Sequence, residues 1–298
     1  MIRSLTPLGA ALTLTACATA VPRPPMVAVA AVPAVADLAA AERLKRFQWL
    51  YGSAEGAASS IQTYHAMVEF VRAATVHRPR DSVVLAGDPG DGPARFVPCA
   101  DKPLAAIFDV DETVTLNLGY EAIVVQDRDK PGLMVRYQAS GSDKAAPVPG
   151  AVYAVRALRE MEVKVIYSTG RAPETAAGTS ATLEALGLGP AVRGDTLFVR
   201  GDAGSNPEKD GRRSALAERY CVMAMAGDQL GDFADLFNAR GLSVPARRAL
   251  AGRGWATQMW GQGWFLLSNP VYGPGLRGTA DELFPADKRW SDTPKDAD

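Results

Sequence analysis

Residues 104–117 read LAAIFDVDETVTLN. The first five are apolar and short enough for one buried strand, the kind that lies inside a parallel sheet covered on both faces. Two carboxylates, Asp109 and Asp111, follow directly, with Glu112 beside them. Carboxylates packed together repel, and each raises the pKa of the other unless a cation sits among them.

The pattern repeats downstream. VKVIYSTG (163–170), DTLFVRG (195–201) and CVMAMAGD (221–228) are expected as further strands. Helices are expected at 149–162, 172–188, 210–220 and 233–241, alternating with them. Strand–helix alternation predicts an α/β fold with a doubly wound parallel sheet, its core at about 104–270. An irregular stretch at about 118–146 reads as an insertion after the first strand. Helices over 37–50 and 53–75 are expected to form a small, mainly helical lobe beside the sheet. In the second of them Ala57, Ile61, Tyr64, Val68 and Val71 share one apolar face. His65 reads as a helix-surface residue, and the Pro-, Gly- and Asp-rich residues 79–103 as loop.

Ligands of open parallel sheets bind beyond the carboxyl ends of the strands. Those ends carry Asp109 and Asp111, then Ser168, Thr169 and Arg171, then Asp228, with Asp232 one turn on. Lys209 precedes the helix at 210–220. An all-oxygen ligand set suits a hard cation such as Mg²⁺. With only two histidines, His65 and His77, a histidine-rich zinc site has no ligands. A net charge of −1 without a basic block gives no footprint for a nucleic-acid polymer. A small phosphorylated substrate fits the set: a carboxylate as nucleophile toward phosphorus, Thr169 and Lys209 on the phosphoryl oxygens, and a metal to offset charge.

This constellation resembles the haloacid dehalogenase (HAD) superfamily: DVDET, Thr169, Lys209 and GDQLGD match its four motifs in order. WLYGSAE (49–55), PVPGA (147–151), VIYSTGR (165–171), EKDGRR (208–213), GDQLGDF (227–233) and SNPVYG (268–273) are similar to the class C acid phosphatases, bacterial surface lipoproteins. The resemblance spans about Trp49 to Gly275. It implies a Mg²⁺-dependent acid phosphatase acting on phosphomonoesters, often nucleoside 5′-monophosphates, through an aspartyl-phosphate. Asp109 is then nucleophile and metal ligand. Asp111 protonates the leaving oxygen, activates water and offers its backbone carbonyl to the metal. Asp228 binds the metal directly and Asp232 through water. Tyr272 is the candidate for stacking on a base or other aromatic leaving group, packing of a C-terminal turn being its other reading. Leu116, Gln229 and Gly275 depart from the family pattern, which leaves the substrate range open. A phosphotransferase of the same fold and a non-catalytic ligand-binding lipoprotein, for haem or another ligand, are the alternatives.

The remaining expectations concern the N-terminus and the cysteines. Residues 1–16 read as a signal peptide, LTAC (14–17) resembles a lipobox with Cys17 as the lipidated residue, and 17–36 read as a Pro/Ala-rich tether ahead of a domain at 37–298. Ala18, where aspartate would favour the inner membrane, points to the outer membrane of the cell envelope. Attached acyl chains contribute roughly 0.8 kcal/mol per buried CH₂. If the first and fourth strands are neighbours, as in related folds, Cys99 and Cys221 share one end of the sheet and could form a disulfide; two buried thiols is the other reading.

Overall fold

The computed structural model describes residues 44–126, 128–140, 142–203 and 208–290. The expected signal peptide, the expected tether and Cys17 lie outside the described residues. Among the described residues no helix is long and apolar enough to cross a membrane.

The strands are β1 (Asp81–Leu85), β2 (Phe96–Pro98), β3 (Leu104–Phe108), β4 (Thr115–Leu116), β5 (Ala146–Pro147), β6 (Lys164–Ser168), β7 (Leu197–Phe198), β8 (Cys221–Gly227) and β9 (Trp264–Leu266). The helices are α1 (Ala54–Val76), α2 (Leu118–Val124), α3 (Leu133–Ser140), α4 (Ala151–Glu160), α5 (Ala176–Ala185), α6 (Asp210–Arg219), α7 (Val244–Ala251), α8 (Gly254–Thr257) and α9 (Ala280–Leu283). Five strands form one parallel sheet in the order β7-β6-β3-β8-β9. The first strand of the alternation, β3, is therefore central, and the chain winds outward from it in both directions.

Alternation along β3 divides the core. Ala106 and Phe108 pack with α1 and α4 through Tyr64, Met67, Val68, Val71, Val155 and Leu158. Ala105 and Ile107 face the other cluster, with Leu216 of α6, Phe233, Phe237 and Trp264. Side chains two apart share a face, so one apolar run feeds both layers. α1 lies on the sheet itself, as one of its covering helices. It begins at Ser53, whose hydroxyl accepts from the Gly56 amide. Its buried stripe is Tyr64, Met67, Val68 and Val71; Ile61, expected on that face, is exposed. His65 is exposed and meets the Tyr153 ring edge-on at 5.0 Å.

Several local expectations are corrected. Residues 79–103 hold a hairpin, β1 against β2, rather than loop alone. Its Val83 and Val84 close the second core cluster, and the Trp264 indole donates to the Val83 carbonyl at 2.8 Å. The helix expected at 233–241 is absent: short 3₁₀ turns occupy Leu230–Asp232 and Asp235–Asn238. Phe233 and Phe237 have helical spacing and are both buried, but Ala234 between the turns is extended (φ −158°, ψ 137°). The Asp235 carboxylate accepts from the Lys209 and Asp210 amides instead of serving a helix of its own. The third strand pairs only at Leu197–Phe198. Before α1, residues 44–47 are α-helical and Gln48–Gly52 continue as a π turn.

The insertion is a helical flap on a tied stem. β4 and β5 pair antiparallel, Thr115 opposite Pro147 and Leu116 opposite Ala146, and close the base of the segment that carries α2 and α3. It packs tightly on α5, where a Cβ at Gly178 would lie 2.3 Å from the Gln138 carbonyl oxygen. At the opposite end of the sheet from the loop carrying Asp109, Cys99 and Cys221 are joined in a disulfide, with Cα atoms 4.5 Å apart.

Candidate active site

Strand register builds the site. Phe108 stands opposite Ala226 of β8 and Tyr167 of β6. The next residues, Asp109, Gly227–Asp228 and Ser168–Thr169, therefore emerge together at the carboxyl edge. The Asp109 amide donates to the Ala226 carbonyl at 2.9 Å, which keeps Asp109 in line with the sheet. The chain then turns sharply, with the Val114 and Thr115 amides both donating to the Val110 carbonyl at 3.0 Å.

Asp109, Asp228 and Asp232 each aim a carboxylate oxygen at one point, all within 4.8 Å of one another. Gly227 makes this possible, since a Cβ there would lie 2.3 Å from the Asp232 Cβ. Thr113 Oγ1 donates to Asp228 at 3.1 Å and lies 3.4 Å from Asp109. Asn269 Nδ2 and Gln229 Nε2 donate to the other Asp228 oxygen at 2.7 and 3.0 Å. The Asp232 carboxylate also accepts from the Gln229 amide at 2.9 Å. Lys209 Nζ bridges the group, donating to Asp109 and, at 2.6 Å, to Asp232. Lys209 stands in a polar loop, where lysines are usually solvated; the fold brings it to the centre.

One ammonium does not neutralise three carboxylates. Burial, with Asp232 and Asp228 adding to it, pushes the Asp109 carboxyl well up although Lys209 opposes the shift. Burial and then Asp232 raise Asp228 to about 7. Burial works against the Lys209 charge, but Asp109 and Asp232 outweigh it and raise its pKa. Buried oxygen donors with uncompensated negative charge are what a hard divalent cation requires. The donor set fits such an ion.

Asp111 is in a different environment. Arg171 Nε lies 3.1 Å from both its oxygens, Nη2 donates at 2.7 Å, and Asn117 Nδ2 donates at 2.8 Å. Burial opposes ionisation, yet the Arg171 charge and these bonds hold Asp111 below the usual carboxylate range. Arg171 stood among the strand-end residues in the sequence without a role; the structure makes it the partner of Asp111. Thr169 is fully buried, and its hydroxyl accepts from the Arg171 amide at 3.2 Å.

Glu112 is the structural hub behind the pair. It has a left-handed backbone (φ 52°) and is buried. Its carboxylate accepts from Tyr51 at 3.1 Å, from the Asn117 amide at 3.0 Å and from the Tyr272 hydroxyl. Burial, then Asp111, raise it to about 7. The N-terminal segment, the flap stem and the C-terminal turn thus meet on one side chain. Strain of this kind persists only where the surroundings over-determine it. Tyr272 lines a cleft of about 250 Å³ with Phe47, Tyr120, Glu121 and Met134. Gln229 Nε2 donates to the Tyr272 carbonyl at 3.3 Å, so this departure from the family pattern also holds the turn. Leu116 lies buried in the flap stem rather than on that wall.

Residues 64–275 match the family model of the HAD superfamily, subfamily IIIB (acid phosphatase). The fold is similar to the class C acid phosphatase from Bacillus anthracis, with a TM-score of 0.62 at 19% identity over 79% of this chain and 87% of that one. With tungstate bound, the Bacillus anthracis enzyme gives a TM-score of 0.64 at 18% identity over 82% and 93%. No curated protein sequence matches. The family match spans more than half of the chain, so the carboxylate cluster belongs to a phosphoric monoester hydrolase: the chain is a member of the subfamily IIIB acid phosphatases of the HAD superfamily.

Proposed function

We propose that the chain is a Mg²⁺-dependent acid phosphatase that hydrolyses small phosphomonoesters, nucleoside 5′-monophosphates among them, through an aspartyl-phosphate. The observation that carries this reading is the convergence of Asp109, Asp228 and Asp232 with Lys209 at one strand edge.

Asp109, Asp228, Asp232 and the Asp111 backbone carbonyl would hold the metal, which supplies charge neutralisation for the phosphoryl oxygens. A carboxylate oxygen of Asp109 attacks phosphorus as the bond to the leaving oxygen breaks, and Asp111 delivers the proton that oxygen needs. Asp111 then takes a proton from water as that water attacks the phospho-aspartate, releasing phosphate and free Asp109. Lys209 and Thr169 bind the phosphoryl oxygens throughout. For its first step Asp111 must loosen the grip of Arg171, and a bound phosphoryl group competes for that guanidinium.

Nucleotide preference rests on the aromatic cleft. Tyr272 lines it, its hydroxyl tied back to Glu112 and so held in place, and its ring would be the stacking surface for a base. Anchoring rests on the sequence: a lipid on Cys17 and a Pro/Ala-rich tether would hold the enzyme at the outer membrane.

The test is hydrolysis of p-nitrophenyl phosphate and AMP, with and without EDTA, by wild type and Asp109→Asn. Mg²⁺-dependent turnover that disappears in Asp109→Asn is expected, and turnover that survives it would sink the mechanism. Metabolic labelling with a radioactive fatty acid, lost in Cys17→Ser, tests the anchor.

A further inference from the structure

The turn that carries Asn269 and Tyr272 borders a second hollow, about 500 Å³ and twice the size of the aromatic cleft. Asp228, Gln229 and Asn269 form its inner wall, so it shares that wall with the carboxylate cluster. Its outer walls are α7 and the segment leading to α9. They bring three guanidinium groups to one space: Arg247 and Arg248 from α7, and Arg277.

These arginines are unusual in their company. Elsewhere the site's cations have carboxylates: Lys209 has Asp109 and Asp232, Arg171 has Asp111, and Arg213 has Asp210 and Asp235. Arg247 instead spends its Nε on the Phe237 carbonyl at 3.0 Å. Among the described residues, Arg247, Arg248 and Arg277 have no ion-pair partner. The sole carboxylate lining the hollow is Asp228, already bonded to Thr113, Gln229 and Asn269. Partial burial, with Arg277 adding to it, lowers the Arg247 pKa. Like charges gathered in a concave site without a counter-ion are a cost that a bound anion offsets, and guanidinium forks match phosphate and carboxylate geometry. Apart from Ser268, the rest of the lining is apolar, including the exposed Leu266 and Leu283, which suits a carbon chain leading from the cluster to the arginines.

We propose that this hollow is a second anion subsite, in which Arg247, Arg248 and Arg277 receive another phosphate or carboxylate carried by the phosphomonoester whose scissile phosphate lies at Asp109. The proposal rests on the phosphatase reading and narrows it: the favoured substrates carry two anionic groups joined by a short chain. Gly275, one of the departures from the family pattern, lines this hollow, so that difference falls where the second anion would sit.

The test uses the full chain with Mg²⁺ and a series of α,ω-alkanediol bisphosphates of increasing length, each compared with the alkyl monophosphate of equal length. One length should show a KM about tenfold lower than its monophosphate, the scale of a charge-assisted contact. Arg248→Gln/Arg277→Gln should return that ratio to about one. Both side chains are exposed and their replacement removes no bond among the described residues, so the double variant keeps the fold, checked by its melting curve. ω-Carboxyalkyl phosphates of the same lengths tell a phosphate-selective subsite from a general anion subsite, and either supports the proposal. An equal advantage at every length, abolished by sulfate, would mark a free-anion site and overturn it. So would no advantage at any length, or one that survives in the double variant. Calorimetric titration with α,ω-alkane bisphosphonates reads the subsite without turnover. If no monophosphate is hydrolysed, the phosphatase reading falls, while loss of bisphosphonate affinity in the double variant still upholds the subsite and equal affinity rejects it.

Discussion

The Arg171 guanidinium grips the Asp111 carboxylate through Nε and Nη2, the shortest contact 2.7 Å, with only 1% of the arginine side chain and 20% of the aspartate side chain exposed. The pair sets the pH at which Asp111 carries a proton. As the proposed acid, Asp111 works only while protonated, so turnover should fall as pH rises through its pKa. Arg171 holds that pKa down. Arg171→Gln removes the opposing charge, raises the pKa, and should move the alkaline limb of the kcat profile up by about one pH unit or more. A limb that stays in place in the variant's kcat–pH profile would show that Asp111 is not the titrating acid.

The acid cluster should make the metal-free protein pH-sensitive in the opposite sense to a typical salt-bridged domain. Asp228 and Glu112 both have folded pKa values raised to about 7. A raised carboxyl binds more protons folded than unfolded, so its contribution is complete below the unfolded value and is lost as pH rises toward 7. EDTA-treated protein should therefore melt higher at pH 5 than at pH 8, and added Mg²⁺ should shrink the gap. Asp228→Asn should raise the melting temperature of the metal-free protein at pH 8 while removing the Mg²⁺ effect. Calorimetric scans across pH, with and without Mg²⁺, check both.

What the sequence made legible follows a physical division. The residues at the ends of β3, β6 and β8 were readable because buried strands are continuous apolar runs and the motif residues follow them directly. Asp109, Thr169 and Asp228 sit where that logic puts them. Elements held by tertiary contacts were not readable. The β1–β2 hairpin hides among turn-forming residues, and its pairing depends on a floor supplied by Trp264 and α6. Phe233 and Phe237 keep helical spacing without a helix, because Asp235 is drawn to the start of α6. The partners of the acids, Arg171 on Asp111 and Tyr51 and Tyr272 on Glu112, join residues 60, 61 and 160 positions apart, beyond the reach of any local pattern.

Lys209 is the ammonium that bridges two carboxylates of the cluster. Its ammonium is mostly buried between Asp109 and Asp232. Lys209→Met leaves both carboxylates without it, and breaking a buried pair in this way costs on the order of 3 kcal/mol. Denaturant titration of metal-free protein should show that loss, and Mg²⁺ should recover part of it. Activity should fall by at least about a hundredfold even with saturating Mg²⁺ if Lys209 is the charged donor to the phosphoryl oxygens, as proposed.

Tyr272 has two contacts whose roles can be separated. Its hydroxyl bonds Glu112, and the residue lines the aromatic cleft. Tyr272→Phe should cost about 1–2 kcal/mol of stability, since the bond reaches a buried carboxylate, and leave the KM for AMP nearly unchanged. Tyr272→Ala should raise the KM for AMP several-fold, by about the 0.5–1.5 kcal/mol of a stacking contact, and change the KM for a small alkyl phosphate less. Equal KM effects on both substrates in Tyr272→Ala would limit the ring to packing the turn.

The disulfide closes a long loop at the end of the sheet away from the site. Cys99 and Cys221 are 122 residues apart, and Cys221 begins the strand that carries Asp228. Cross-linking over that separation lowers the entropy of the unfolded chain by an amount equivalent to at most about 5 kcal/mol. The bond lies at the amino end of β8, away from the carboxylates, so its effect should fall on stability rather than turnover. Cys99→Ser/Cys221→Ser should unfold at markedly lower denaturant while keeping kcat for p-nitrophenyl phosphate. In a Cys17→Ser chain, denatured without reductant, thiol titration should find no free thiol. Two titratable thiols, or a double variant as stable as the parent, would show that the cysteines are packed side by side without a bond.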